Sequence, residues 1–253
     1  MSAAQVRLGM LTPSSNTALE PATAALLAGA PHVSAHFARL RVTEIALTDA
    51  ALGQFDAAPF LAAADLLADA KVHSIVWNGT SGGWRGFDAD RALCAALEAR
   101  TGAPATTATL ATLDALAAFG ARRIAFVTPY LPEVQSAILR NFAAAGFETV
   151  AERHLGDRGN FSFAEFAEDL IEGMIRDVAA AKPDAILIYC TNFRGTRVAP
   201  RLEAETGIPV LDSIAVAAWG ALCAAGADPS GIAGWGRLFQ RPPASHARQG
   251  EPA

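Results

Sequence analysis

Cys190 stands where an apolar run, Ala185–Tyr189, gives way to the polar pair Thr191-Asn192. A thiol at the mouth of a buried strand can act as a base, a nucleophile or a proton donor, and nearby backbone dipoles would lower its pKa. The bland alternative is an inert small hydrophobe. Thr80 and Ser81 lie in Asn78-Gly79-Thr80-Ser81-Gly82-Gly83, directly after a second apolar run, Ser74–Trp77. Their hydroxyls and the flanking free N–H groups suit an oxyanion, although the same composition makes ordinary turns. Pro13-Ser14-Ser15-Asn16-Thr17 follows a third run and precedes a helical pattern, so it offers either a helix cap or a carboxylate cradle. The Tyr130 phenol, in Thr128-Pro129-Tyr130-Leu131-Pro132, can donate to a carboxylate or simply pack. Asn160 ends a turn-rich loop, Gly156–Asn160, that either caps itself or closes over a site. Together these groups describe proton transfer or bond making beside a small substrate's carboxylate.

Other chemistries lack residues. Cys94 and Cys223 sit in Ala-rich helical stretches, where packing is their default role, and no Cys-x-x-Cys occurs. His32 and His36 share a strand face without an acidic ligand nearby, so no metal is expected. No Walker loop, no Gly-x-Gly-x-x-Gly after a strand and no Gly-x-Ser-x-Gly elbow is found, so no cofactor is expected either. A net charge of −5 with scattered basic residues argues against nucleic acid. No run reaches the ~20 apolar residues that span a bilayer, and the start of the chain lacks the pattern of a signal peptide. A cytoplasmic enzyme is the expectation, with homo-oligomerisation left open.

These residues need elements to hold them. Apolar runs at Leu8–Leu11, Val33–Leu40, Ser74–Trp77, Ile124–Thr128, Thr149–Leu155, Ala185–Tyr189 and Val210–Leu211 read as buried strands. Helical spacing covers Phe60–Ala70, Asp90–Arg100, Leu110–Phe119, Glu133–Ala145 and Phe163–Ala180. Alternation of the two predicts an α/β fold with parallel, doubly wound sheets. The chain also repeats itself. Leu97-Glu98-Ala99-Arg100-Thr101-Gly102-Ala103-Pro104 returns as Leu202-Glu203-Ala204-Glu205-Thr206-Gly207-Ile208-Pro209, each followed by an Ala-rich helix ending in Gly-Ala. Gly102 and Gly207 fall where helix C-cap glycines belong. Two pseudo-symmetric halves follow, 1–108 and 109–225. Residues 226–240 form a C-terminal segment returning to the first half, and 241–253 a disordered tail. The Asn78–Gly83 and Cys190–Gly195 loops then leave equivalent strands at their carboxyl ends, where open α/β sheets bind ligands, and face each other across one cleft.

With those residues in view, the chain resembles the aspartate/glutamate racemase superfamily, in the branch of arylmalonate decarboxylases and maleate cis-trans isomerases, from Leu8 to Phe239. Gly9–Thr17 is similar to the opening of the isomerases, which implies that Asn16, with Ser14 beside it, contacts a substrate carboxylate. Gly79-Thr80-Ser81 with Arg85-Gly86 is similar to the decarboxylases, whose first cysteine is replaced by glycine. Gly234–Phe239 resembles their C-terminal segment. The resemblance implies catalysis by Cys190 in the second-half cysteine position, and substrate contacts from Gly79, Thr80, Ser81, Tyr130, Asn160, Thr191 and Asn192, with neither metal nor organic cofactor.

Racemisation by two bases needs groups on both faces of the reacting carbon, and Gly79 supplies none. The expected function is therefore cofactor-independent decarboxylation of a malonate-type acid, with Cys190 protonating the enediolate. A maleate-type isomerase, a racemase and a non-catalytic carboxylate-binding protein are the alternatives. On the two-base argument, Gly79→Cys adds racemisation of a chiral product, which chiral chromatography of the product would detect.

Overall fold

The computed structural model describes residues 4–242. The expected tail lies almost wholly outside these residues. The first sheet holds β1 (Val6–Pro13), β2 (Val33–Leu40), β3 (Ser74–Trp77) and β4 (Ala105–Thr107) in the order β2-β1-β3-β4. The second holds β5 (Arg123–Thr128), β6 (Glu148–His154), β7 (Ala185–Ile188) and β8 (Val210–Asp212) in the order β6-β5-β7-β8. All pairings are parallel and the two orders are the same, so the α/β fold with two pseudo-symmetric halves stands. β3 and β7 are buried along their whole length, which is why they read as unbroken apolar runs rather than alternating ones.

In the first half the connecting helices are α1 (Leu19–Leu27), α2 (Asp49–Gly53), α3 (Ala57–Asp69), α4 (Gly82–Arg85) and α5 (Phe87–Thr101). α6 (Ala108–Phe119) leads into the second half, with α7 (Pro132–Ala144), α8 (Glu168–Ala179), α9 (Val198–Thr206) and α10 (Ser213–Ala224). α10 is buried along most of its length and packs on α6 and against β3 and β4, so the end of the second half closes over the first sheet. A Cβ on Gly220 would fall 2.5 Å from Ala111 Cβ, so glycine is what lets these helices approach so closely. In the 226–240 segment, Arg237 bonds Glu203 and the carbonyl of Gly207 in the second half. Just beyond it, Trp219 Nε1 donates to the Arg241 carbonyl and the Arg241 guanidinium lies over Phe119.

The sequence repeat has a structural cause. Gly102 and Gly207 both adopt φ 72° at the ends of α5 and α9. Glu98 accepts from Ala105 N and Glu203 from Val210 N, so each repeat is a helix whose glutamate secures the strand that follows. Two expectations change. β4 was not expected, because three residues of Ala-Thr-Thr carry no apolar run. The predicted helix Phe163–Ala180 is broken: a 3₁₀ turn at Ser162–Glu165 precedes α8, and Phe166 and Ala167 are extended between them. That break turns Phe163 inward, where its ring meets Tyr130 edge to face.

Two buried carboxylates mark the pseudo-symmetry with inverted roles. Asp90, on α5, accepts from Thr107 at the end of β4, while Asp212 at the end of β8 accepts from Thr196. Burial pushes Asp90 up to about 6 and Asp212 up to about 7, outweighing the hydroxyl bonds that favour the charged form. Both folded-state values exceed the ordinary carboxylate value, so their contribution to stability is complete below about pH 4 and is lost as pH rises through 6 and 7. The melting temperature is expected to fall between pH 5 and pH 8. Asp212→Asn, which retains an oxygen to cap Ile214 and Ala215 of α10, should flatten that slope; a wild-type curve flat over this range would contradict the assignment.

Candidate active site

The two loops predicted to face each other do so, and side chains cross between them. Asn16 Nδ2 donates to the Thr191 carbonyl at 2.8 Å, while its Oδ1 accepts from Ala18 N and Leu19 N at the start of α1. In the reverse direction, Asn192 Oδ1 accepts from Thr17 N and Ala18 N at 2.9 and 3.0 Å. Thr191 Oγ1 donates to the Asn78 carbonyl. Buried backbone groups in irregular loops need partners, and here each half supplies the other's.

Above this seam lies a tight cavity with about 20 Å³ of free space, lined on the polar side by Gly79, Thr80, Ser81, Tyr130, Asn160, Cys190 and Thr191. Seven of the ten expected site residues are thus brought together. Asn16, Asn192 and Ser14 are not in its wall: the two asparagines have their polar atoms engaged in the seam, and Ser14 Oγ accepts from Val42 N. These three therefore serve as framing rather than lining groups. Asn160 Nδ2 donates to Ser15 Oγ, and its carbonyl accepts from Asn192, so the Gly156–Asn160 loop is tied to both halves. That loop also meets the segment after β2 through an antiparallel bridge between Glu44 and Gly159 and a bond from Ile45 N to the Arg158 carbonyl. One loop from each half roofs the cavity.

Tyr130 is the polar centre. Its Oη lies 2.6 Å from Thr80 Oγ1 and is also hydrogen-bonded to the Cys190 thiol. Complete burial holds its pKa well above the ordinary phenol value, so it stays a neutral donor. Cys190 Sγ accepts from Asn192 N at 3.4 Å. The sequence favoured a lowered thiol pKa, and the structure corrects this. Burial pushes Cys190 up to about 12, and the Tyr130 and Asn192 bonds only partly offset it. Cys190 is therefore a protonated thiol at neutral pH.

The apolar wall was not readable in the sequence. Val42 and Ile45 come from the roof, Pro13 and Phe55 from the first half, and Trp77 and Trp84 flank the Gly79–Ser81 loop. Trp84 stacks edge to face with Tyr130 at 5.4 Å, and its buried Nε1 has no partner among the described residues. Their dispersal over several loops explains why no motif announces them. A second correction concerns Gly79. A Cβ there would lie 2.2–2.4 Å from indole atoms of Trp77, so Gly79→Cys alone does not place a thiol opposite Cys190. Among the described residues, no group of three or more His, Cys, Asp or Glu side chains is placed to hold a metal, and no helix is long and apolar enough to cross a membrane.

The family model for arylmalonate decarboxylase matches residues 8–239. The chain belongs to that family. It is 32% identical over 158 residues to the arylmalonate decarboxylase of Bordetella bronchiseptica, a stretch covering 62% of this chain and 66%, just under two thirds, of that protein. The crystal structure of the maleate isomerase Iso from Pseudomonas putida S16 superposes with a TM-score of 0.84 at 26% identity, covering 92% of this chain and 98% of that one. A double mutant of arylmalonate decarboxylase in its liganded form gives 0.82 at 25% identity, covering 93% and 99%. Family membership makes the chain an enzyme, a carbon–carbon lyase or an isomerase.

The seam generates a prediction. Asn16→Ala and Asn192→Ala each leave buried backbone groups unpaired, at about 1–3 kcal/mol in chemical denaturation. Because both serve the same pair of loops, the double variant should lose less than the sum, and strict additivity would show that the two act independently.

Proposed function

We propose that the chain is a decarboxylase of a malonate-type acid, with Cys190 as the proton donor. The observation that supports this reading is a single thiol, Cys190, lining a cavity that it shares with Gly79, where the Trp77 indole fills the space a side chain would need. One-sided proton delivery suffices for decarboxylation, whereas two-base racemisation has no second group.

The retained carboxylate of a small dicarboxylic acid would bond the Thr80, Ser81 and Tyr130 hydroxyls. The other would lie against Val42, Ile45, Phe55 and Trp84, where losing water costs on the order of several kcal/mol. Cleavage of the carbon–carbon bond releases that strain. The bonding pair enters an enediolate as CO₂ departs, and the three hydroxyls stabilise the charge gathering on the retained carboxylate. The Cys190 S–H then gives its proton to the α-carbon, and the thiolate recovers one from water. The net change is malonate dianion plus a proton to monocarboxylate plus CO₂.

A protonated thiol is what this step requires. The runner-up, cis-trans isomerisation of a maleate-type acid, is favoured by the close structural likeness to Iso and by the asparagines at 16 and 160. It needs a thiolate to attack the double bond, and a thiol held at about 12 disfavours that.

Proton NMR in D₂O with substituted malonates and maleate separates these readings. Loss of CO₂ with one deuteron at the α-carbon is the expected result, whereas fumarate formed from maleate would replace the decarboxylase with the isomerase. Cys190→Ala should lower kcat/KM by about 10²–10⁴-fold. Because the donor must be protonated, kcat should stay level from pH 7 to pH 10, declining only as pH approaches 12. A fall centred near pH 9, the ordinary thiol value, would indicate an exposed thiol and sink this assignment.

A further inference from the structure

The geometry above Gly79 carries more than the loss of a thiol. Trp77 is the last residue of β3, two before Gly79, and is fully buried. Its indole is fixed from two sides. The Phe60 ring meets it edge to face at 4.8 Å, and its Nε1 donates to Ser81 Oγ at 3.2 Å. Indole atoms Cε2, Cζ2 and Nε1 stand within 2.2–2.4 Å of the point where a Cβ on Gly79 would be. The space from which a first-half side chain would enter the cavity is therefore filled from the strand behind it.

Two consequences follow. The first is steric. Beside the aliphatic Pro13, Val42 and Ile45, the aromatic part of the remaining wall is already engaged: Trp84 against Tyr130 at 5.4 Å, and Phe55 against Trp84 at 6.2 Å. A flat substituent on the reacting carbon meets these engaged rings, and the free space of the cavity, about 20 Å³, is far below the ~300–1,000 Å³ of ligand-sized pockets, so a larger substituent demands the larger rearrangement of this wall. The second is directional. By donating to Ser81 Oγ, the indole N–H takes one of that oxygen's lone pairs, leaving the hydroxyl proton for another acceptor. Among the described residues Ser81 Oγ has no other partner, and it borders the cavity.

We propose that Trp77 is both the specificity-determining and a positioning residue of this site. Its indole limits the substituent on the reacting carbon to a short aliphatic group and aims the Ser81 hydroxyl at the substrate carboxylate. The substrate class is thus an alkyl-substituted malonate rather than an aryl one. The inference rests on the decarboxylase reading for its reaction, but not for its geometry.

The test uses Trp77→Leu, which opens the space, and Trp77→Phe, which keeps a ring against Phe60 but has no N–H. Calorimetric affinities for butyrate and phenylacetate measure the size limit without turnover, and kcat and KM on ethylmalonate and phenylmalonate measure it with turnover. The wild type should prefer the alkyl compounds in both. Trp77→Leu, checked for folding by circular dichroism, should move the aryl-to-alkyl ratio by about tenfold or more toward the aryl compounds. Trp77→Phe should lower kcat on ethylmalonate with that ratio nearly unchanged, because Ser81 loses its orientation while the wall persists.

A third arm reads packing alone. Gly79→Cys should be destabilised with Trp77 present and recover stability when combined with Trp77→Leu, its thiol then reacting with a maleimide. An unshifted ratio in folded Trp77→Leu, or Gly79→Cys at wild-type stability, would overturn the proposal. Shifted monoacid affinities with no malonate turned over would leave Trp77 in its role and remove the decarboxylase reading instead.

Discussion

Everything at this site depends on two buried asparagines that bond across the line between the halves. The loops after β1 and β7 are irregular, and several of their backbone groups find partners only across the line between the halves. Asn16 serves the carbonyl of Thr191, and Asn192 serves the amides of Thr17 and Ala18. An unpaired buried polar group costs about 1–3 kcal/mol, so this exchange holds the loops in one register. Cys190, Thr191 and Tyr130 from the second half then share one cavity with Thr80 and Ser81 from the first. Their convergence is a by-product of satisfying the backbone.

The halves share a topology and differ in chemistry. β3 and β7 occupy the same place in their sheets, and each leads into a loop carrying a threonine at its third position past the strand end, Thr80 and Thr191. What stands just before those threonines breaks the symmetry: Gly79 on one side and Cys190 on the other. The glycine is matched to Trp77, since an indole and a Cβ cannot occupy the same space. One substitution without the other is sterically inconsistent, so the pair defines a one-thiol site as a unit.

Burial sets the protonation state of that site. Tyr130 and Cys190 are both held above their ordinary values, so the cavity offers neutral donors rather than charged bases. On the decarboxylase reading, such a neutral, hydrogen-bonded pocket with an apolar wall would stabilise one carboxylate of the substrate and starve the other of water. Burial likewise lifts Asp90 on α5 and Asp212 at the end of β8, which makes the stability of the scaffold depend on pH.

The sequence by itself determined the elements and their twofold plan. Strands buried on both faces show as apolar runs, and a repeated helix, glycine cap and proline show as a repeated octapeptide, because these signals depend on neighbours along the chain. It also singled out Cys190, Tyr130, Thr80 and Ser81, since polar residues at strand ends are exceptional in such a chain. Tertiary structure alone decided three things. Asn16 and Asn192 turned inward to the seam because their partners lie some 175 residues away. The thiol pKa rose because burial, which the sequence does not register at a strand end, outweighed two hydrogen bonds. Trp77, which the sequence presents as one more apolar residue of a strand, became the group that fills the side-chain space at Gly79, because only packing shows which volume an indole fills.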